Sequence, residues 1–123
     1  EKLPAPIVKK ASTHTRYGLI AIGSSDGAVL EACDRLAIEG IHFDYMRVRG
    51  FPFAQSVEDF IMNHDQVFVI EQNRDGQLHD LLLTETQVTK DKLASIVYYA
   101  GEPLSYRFVY GALIEQLDMR KSA

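Results

Sequence analysis

Two short segments hold the densest hydrogen-bonding chemistry in the chain. Gly23-Ser24-Ser25-Asp26-Gly27 combines a glycine that permits close backbone approach with two hydroxyls and, beyond them, the start of an apolar helical pattern. Free N–H groups at a helix start attract anions, so this loop is a candidate anion cradle. It lacks both the three-glycine dinucleotide spacing and the Gly-Lys-Ser/Thr of a phosphate loop, so the alternative reading is a tight turn capped by Ser25 or Asp26. Glu71-Gln72-Asn73-Arg74-Asp75-Gly76-Gln77 has more donors and acceptors than a short turn needs, and Asn73, Arg74 and Gln77 are its candidates for ligand or domain docking. A third segment, Arg49-Gly50-Phe51-Pro52-Phe53, either folds its two phenylalanines over the core or presents Phe51 and Phe53 to a neighbouring domain.

No reaction is specified by the remaining candidates. The four histidines, His14, His42, His64 and His79, have no mutual spacing that suggests metal ligands. His42 is expected at the start of a strand and His64 at the end of a helix, both on the edge away from the loops, where a histidine is solvated or locally hydrogen-bonded. Cys33 falls on the inner face of a helix and reads as a small inert core residue. Asp44 and Glu71 form a carboxylate pair only if the fold brings them together, and Glu58-Asp59 suits the first turn of a helix. Catalytic residues and metal ligands are therefore expected to be absent.

Composition narrows the function classes. The chain has 123 residues, 46% hydrophobic and 24% charged, the balance of one globular domain with a real core. Thirteen basic against 17 acidic residues give a net charge of −4, without a basic stripe, so nucleic acid and anionic membrane surfaces are poor partners. One cysteine excludes an internal disulfide and a cysteine-ligated cluster within the chain, and implies a reducing, cytoplasmic setting. No run approaches the roughly 18 apolar residues of a spanning helix. The first residue, Glu1, is not an initiator methionine, and suggests excision from a longer protein.

The elements that must position these loops follow from periodicity. Strand-like runs rich in Ile, Val, Phe and Tyr occupy 17–22, 42–48, 66–70 and 95–99, with a short proline-flanked edge strand within 6–10. Phe43, Tyr45, Phe68, Tyr98 and Tyr99 are expected in the core or on the sheet. Helical patterns occupy 27–39, 56–64, 76–85 and 105–118. The first is expected to bury Ala28, Val29, Ala32, Cys33, Leu36 and Ala37, to carry a Glu31–Arg35 pair and to stop at Gly40. The second is expected to start in a Ser56–Asp59 capping box, burying Val57, Phe60 and Ile61. The third is entered through Asp75 and buries Leu78, Leu81 and Leu82; the fourth buries Tyr106, Val109, Leu113 and Leu117. Continuous apolar strands alternating with helices predict an α/β three-layer sandwich with parallel pairing. Ligands of such a sheet bind at its carboxyl edge, where the strand order reverses; the loops starting at Gly23, Arg49, Gln72 and Ala100 all reach that edge.

At this point the residues resemble a known family. Gly18-Leu19-Ile20-Ala21-Ile22-Gly23-Ser24, Glu31-Ala32 with Glu39-Gly40-Ile41, Met46-Arg47-Val48-Arg49 with Pro52-Phe53, and above all Val69-Ile70-Glu71-Gln72-Asn73-Arg74-Asp75-Gly76-Gln77-Leu78 are similar to the C-terminal domain of the alpha subunit of 2-oxoacid:ferredoxin oxidoreductases, most closely the 2-oxoglutarate type. That domain is similar to the transketolase C-terminal domain. The resemblance runs from about Tyr17 to Leu117. It implies a five-stranded mixed sheet with four parallel strands and one antiparallel N-terminal edge strand, in which the first and third parallel strands are neighbours. It implies residues 1–16 as an arm, 17–118 as the transketolase C-terminal-like domain and 119–123 as a tail.

The family decarboxylates a 2-oxoacid, such as 2-oxoglutarate or pyruvate, on thiamine diphosphate. It passes electrons through iron–sulfur clusters to ferredoxin and delivers the acyl group to coenzyme A. The resemblance puts those cofactors in preceding domains and the beta subunit. It makes this piece a non-catalytic assembly domain whose partners are other domains of the alpha subunit and the beta subunit. The alternative is a free-standing α/β domain that binds a small ligand, nucleotide or anion at residues 23–27.

Overall fold

In the computed structural model the described residues are 6–22, 26–49, 52–72, 78–99 and 103–122, without the side chains of 120–122. A short strand β1 (Ile7–Lys9) precedes four strand–helix units. These are β2 (Tyr17–Ile22) with α1 (Asp26–Ile38), β3 (Asp44–Val48) with α2 (Gln55–Met62), β4 (Gln66–Gln72) with α3 (Leu78–Glu85), and β5 (Leu93–Tyr98) with α4 (Tyr106–Ser122). The sheet order is β1-β3-β2-β4-β5, parallel throughout except that β1 runs antiparallel to β3. The α/β sandwich, the five-stranded mixed sheet and the pairing of the first with the third parallel strand are as expected. No helix among the described residues is long and apolar enough to cross a membrane.

The two faces of the sheet explain the continuous apolar strands. Successive side chains point to opposite faces, and here both faces are covered. Leu19, Ala21, Phe68 and Ile70 pack with Val29, Ala32 and Leu36 of α1 and Val109, Leu113 and Leu117 of α4. Ile20, Met46, Val67 and Val69 pack with Val57, Phe60 and Ile61 of α2 and Leu78 and Leu82 of α3. Tyr17, Phe43 and Phe68 form an aromatic triangle in the first of these cores, with centroids 5.7 to 6.5 Å apart. Gly18 is required on the other face, because a Cβ there would stand 2.9 Å from the Phe60 ring.

Several local expectations change. α2 is not opened by a capping box: its cap is Ala54, without a side-chain hydrogen bond, and Ser56 already lies inside the helix. Asp59 instead accepts from Gln55 on the exposed face at 3.2 Å. Ala37 is exposed because the inward stripe of α1 centres on Val29, Ala32 and Leu36, and Ala37 lies past its margin. Tyr99 is 71% exposed, since β5 ends at Tyr98 and the next side chain leaves the sheet. β3 starts at Asp44, leaving His42 before it, and α4 continues past Asp118 to Ser122. Gly40 has φ +83° and terminates α1 as expected, with Ile41 N–H returning to the Leu36 carbonyl at 2.9 Å.

Candidate functional site

The chain passes from β2 outward to β3, then crosses back to β4 on the other side of β2. The strand order therefore reverses between β2 and β4, the place where ligands of such sheets bind. Register is explicit there: Ala21 faces Ile70 as the last β2–β4 pair, and the strands themselves end at Ile22 and Gln72. Neighbouring strands lie about 4.8 Å apart, which brings the starts of the two loops side by side. The candidates Gly23, Ser24, Ser25, Asn73, Arg74 and Gln77 lie outside the described residues, as do Phe51 and Asp75. What the structure describes is how their flanks are held.

On the β2 side, Asp26 opens α1. Its carboxylate accepts the Tyr45 hydroxyl at 2.7 Å and lies 3.9 Å from the Arg47 guanidinium. Burial, followed by this bond to a carboxylate, pushes the Tyr45 hydroxyl far above its ordinary pKa, so it serves as a fixed donor. On the β4 side, Glu71 is only 4% exposed. It accepts the Leu78 N–H at 2.7 Å, the His79 N–H at 3.3 Å and the Ser95 hydroxyl at 3.3 Å. Each loop is thus tied at its helix end by a carboxylate. Phe53 is half-buried, packed against the core formed with α2 and α3.

Glu71 has no task in the sequence reading, although its signal lay in the sequence. A carboxylate at the end of an apolar strand, just before a loop into a helix, has few ways to be buried except by collecting that helix's free N–H groups. The Asp26–Tyr45 bond had no such signal, because it joins two strand–helix units.

The Asp44–Glu71 carboxylate pair does not form. Asp44 begins β3 and Glu71 is the penultimate residue of β4, so the two carboxylates sit at opposite ends of the parallel strands. Asp44 is instead paired with His64, Oδ2 to Nε2 at 2.8 Å, and the other ring nitrogen of His64 meets the Phe60 carbonyl at 2.6 Å. With both nitrogens occupied, His64 has none left to activate a nucleophile. Cys33 is half-buried, and burial, only partly opposed by Lys9, pushes its thiol up to about 12, far from thiolate chemistry. His79 spends Nε2 on the Leu93 carbonyl at 3.3 Å. No group of three or more His, Cys, Asp or Glu among the described residues could hold a metal ion.

No family model matches the chain. It is 36% identical over 119 residues to the alpha subunit of 2-oxoacid:ferredoxin oxidoreductase 2 from Aeropyrum pernix, a match over 92% of this chain and 18% of that protein. The chain is a homologue of one segment of a 2-oxoacid:ferredoxin oxidoreductase alpha subunit. The fold agrees. The 2-oxoglutarate:ferredoxin oxidoreductase of Magnetococcus marinus, solved with 2-oxoglutarate, coenzyme A and succinyl-CoA bound, superimposes with a TM-score of 0.78 at 25% identity, over 92% of this chain and 20% of that one. The alpha chain of a probable 2-oxoacid ferredoxin oxidoreductase from Thermoplasma acidophilum gives 0.58 at 21% identity, over 92% of this chain and 97% of that one. A C-terminal domain of the alpha subunit is consistent with both coverages, and this homologue spans under a fifth of its curated relative.

Proposed function

We propose that this chain is a non-catalytic assembly domain of a thiamine-diphosphate-dependent 2-oxoacid:ferredoxin oxidoreductase alpha subunit. The parent reaction is oxidative decarboxylation of a 2-oxoacid, 2-oxoglutarate or pyruvate, to the acyl-CoA, with ferredoxin as electron acceptor. The observation that carries the reading is the 36% identity over nearly the whole chain to under a fifth of such a subunit. The donor set supports the division of labour: one cysteine, with its thiol pushed up to about 12, does not fit an iron–sulfur cluster, which takes several thiolates. Thiamine diphosphate, the clusters and coenzyme A then belong to other domains and to the beta subunit. In this reading the partners meet the switch-point edge, through Gly23, Ser24, Ser25, Asn73, Arg74 and Gln77, with Phe51 and Phe53 as further contact candidates. The arm (1–16), the domain proper (17–118) and the tail (119–123) act together, since β1 belongs to the sheet and α4 reaches Ser122.

Coexpression of the full alpha subunit with its beta subunit tests the docking role. Substitution of Asn73 and Arg74 by Ala is expected to weaken assembly about 10- to 100-fold, the usual effect of removing residues at the centre of an interface. Unchanged assembly and turnover would overturn it. Melting of the protein with phosphate, nucleotides or coenzyme A provides the contrast, because a specific ligand of residues 23–27 raises the melting temperature by mass action.

A further inference from the structure

Between α1 and α4 the surface holds a groove of about 410 Å³, lined by Arg35, Ile38 and Glu39 at the end of α1 and by Tyr106, Arg107 and Tyr110 at the start of α4. At 1.5 Å per residue, Arg35 stands about 14 Å along α1 from the end where the helix leaves the switch point. Ile38 is 82% exposed. Arg35 and Arg107 both lie over the Tyr106 ring, their guanidinium carbons 4.9 and 5.0 Å from its centroid. The carboxylates nearby are already engaged: Glu31 pairs with Arg35 at 3.4 Å, and Glu39 accepts the Tyr110 hydroxyl. Arg107 forms no ion pair with any carboxylate among the described residues. The groove thus presents an oriented guanidinium, with its N–H donors free of any carboxylate, beside an exposed isoleucine.

We propose that this groove seats an acidic segment from another domain of the alpha subunit, whose carboxylate meets Arg107 while an adjacent apolar side chain covers Ile38 and the tyrosine rings. The proposal rests on the reading of the chain as a domain of such a subunit, and not on the docking loops. Tyrosine and arginine are the residues most enriched where interfaces gain their energy, and the groove holds two of each. A guanidinium held on a ring meets a carboxylate through two parallel hydrogen bonds and has little freedom left to lose. The small size of the groove selects the source. Such a contact is weak between separate proteins, but a domain of the same chain meets it at a high effective concentration, and contacts between domains of one chain are of this polar kind. The chain covers 18% of its curated relative, so a subunit of that length has ample further chain to supply the segment.

The test uses the full-length alpha subunit produced together with the beta subunit, with the photo-crosslinking residue p-benzoylphenylalanine in place of the exposed Ile38. Mass spectrometry of the irradiated complex is expected to join position 38 to an acidic segment of the alpha subunit outside residues 1–123. Arg107 is exposed, so its variants keep the fold. R107E is expected to cut the yield of that crosslink at least about tenfold, because like charges then face each other across the contact. R107K keeps the charge but loses the fork, and falls between wild type and R107E. High salt lowers the wild-type yield toward that of R107E. Crosslinks confined to residues 1–123, or none, would overturn the docking role of the groove. Crosslinks to the beta subunit would overturn the choice of occupant, and a yield equal in wild type and R107E would overturn the pairing with a carboxylate. N73A/R74A is expected to keep the crosslink, and its assembly with the beta subunit reads the docking loops separately, so failure of that reading and failure of the groove are told apart.

Discussion

At the scale of single residues, the carboxylates that sequence reading left unassigned turn out to be internal fasteners. Asp44 ties two other parts of the chain to β3: Oδ1 accepts the Ala11 N–H at 2.8 Å, and Oδ2 meets His64 at 2.8 Å and Lys10, next to Ala11, at 3.3 Å. Burial acts to raise its pKa, but the Ala11 N–H, His64 and Lys10 together outweigh burial and hold it below the usual carboxylate value. The sign of the pH dependence follows. The folded pKa lies below the unfolded value of about 3.9, so the stabilisation is complete above that pH and is lost as pH falls through the folded value. Urea unfolding of wild type between pH 6 and pH 2 should show this acid-labile component. Asp44→Asn should lack it and cost about 2 kcal/mol at neutral pH, the order expected when hydrogen bonds to a buried charged acceptor are lost. A D44N profile parallel to wild type would contradict the assignment.

At the scale of elements, helix ends were harder to read than helix bodies. Apolar spacing located all four helices and their buried stripes, because burial of one face is a periodic property of the sequence itself. Caps depend on which acceptor is nearest in space. Ser56 and Asp59 have the spacing of a capping box, yet the chain enters α2 through Ala54, and Asp59 bonds Gln55 instead. α3 takes its acceptor from Glu71, on a strand. Gly40 was legible because its requirement is local: φ +83° is cheap only without a Cβ. A Cβ at Gly40 would meet open space, so Gly40→Ala tests conformation alone. It should lower stability by about 1 kcal/mol, read as a lower urea midpoint with an unchanged slope. A midpoint equal to wild type would mean that the left-handed turn is not what ends α1.

At the scale of the whole molecule, order along the sheet sets the order of opening. β2 and β4 each pair on both sides and, apart from Ile22 at the end of β2, have no exposed residue, whereas β1 pairs only with β3 and leaves Ile7 49% and Val8 44% exposed. Native-state hydrogen exchange should therefore be slowest at β2 and β4 amides, approaching global unfolding, and fastest by orders of magnitude at β1. Equal protection at β1 and β4 would contradict this. The sequence alone determined the fold class, the element order and the inner face of each helix, because these follow from apolar period and turn chemistry, both local along the chain. The Glu-Gln-Asn-Arg-Asp-Gly-Gln run also carried the likeness to oxidoreductase alpha subunits. Only the tertiary structure decided which polar groups meet: Asp44 with His64, Asp26 with Tyr45, Glu71 with α3 and Ser95. Their separations of 20, 19 and up to 24 residues leave no periodic trace, and hydrogen bonds require atoms within about 3 Å, which only the folded chain brings together.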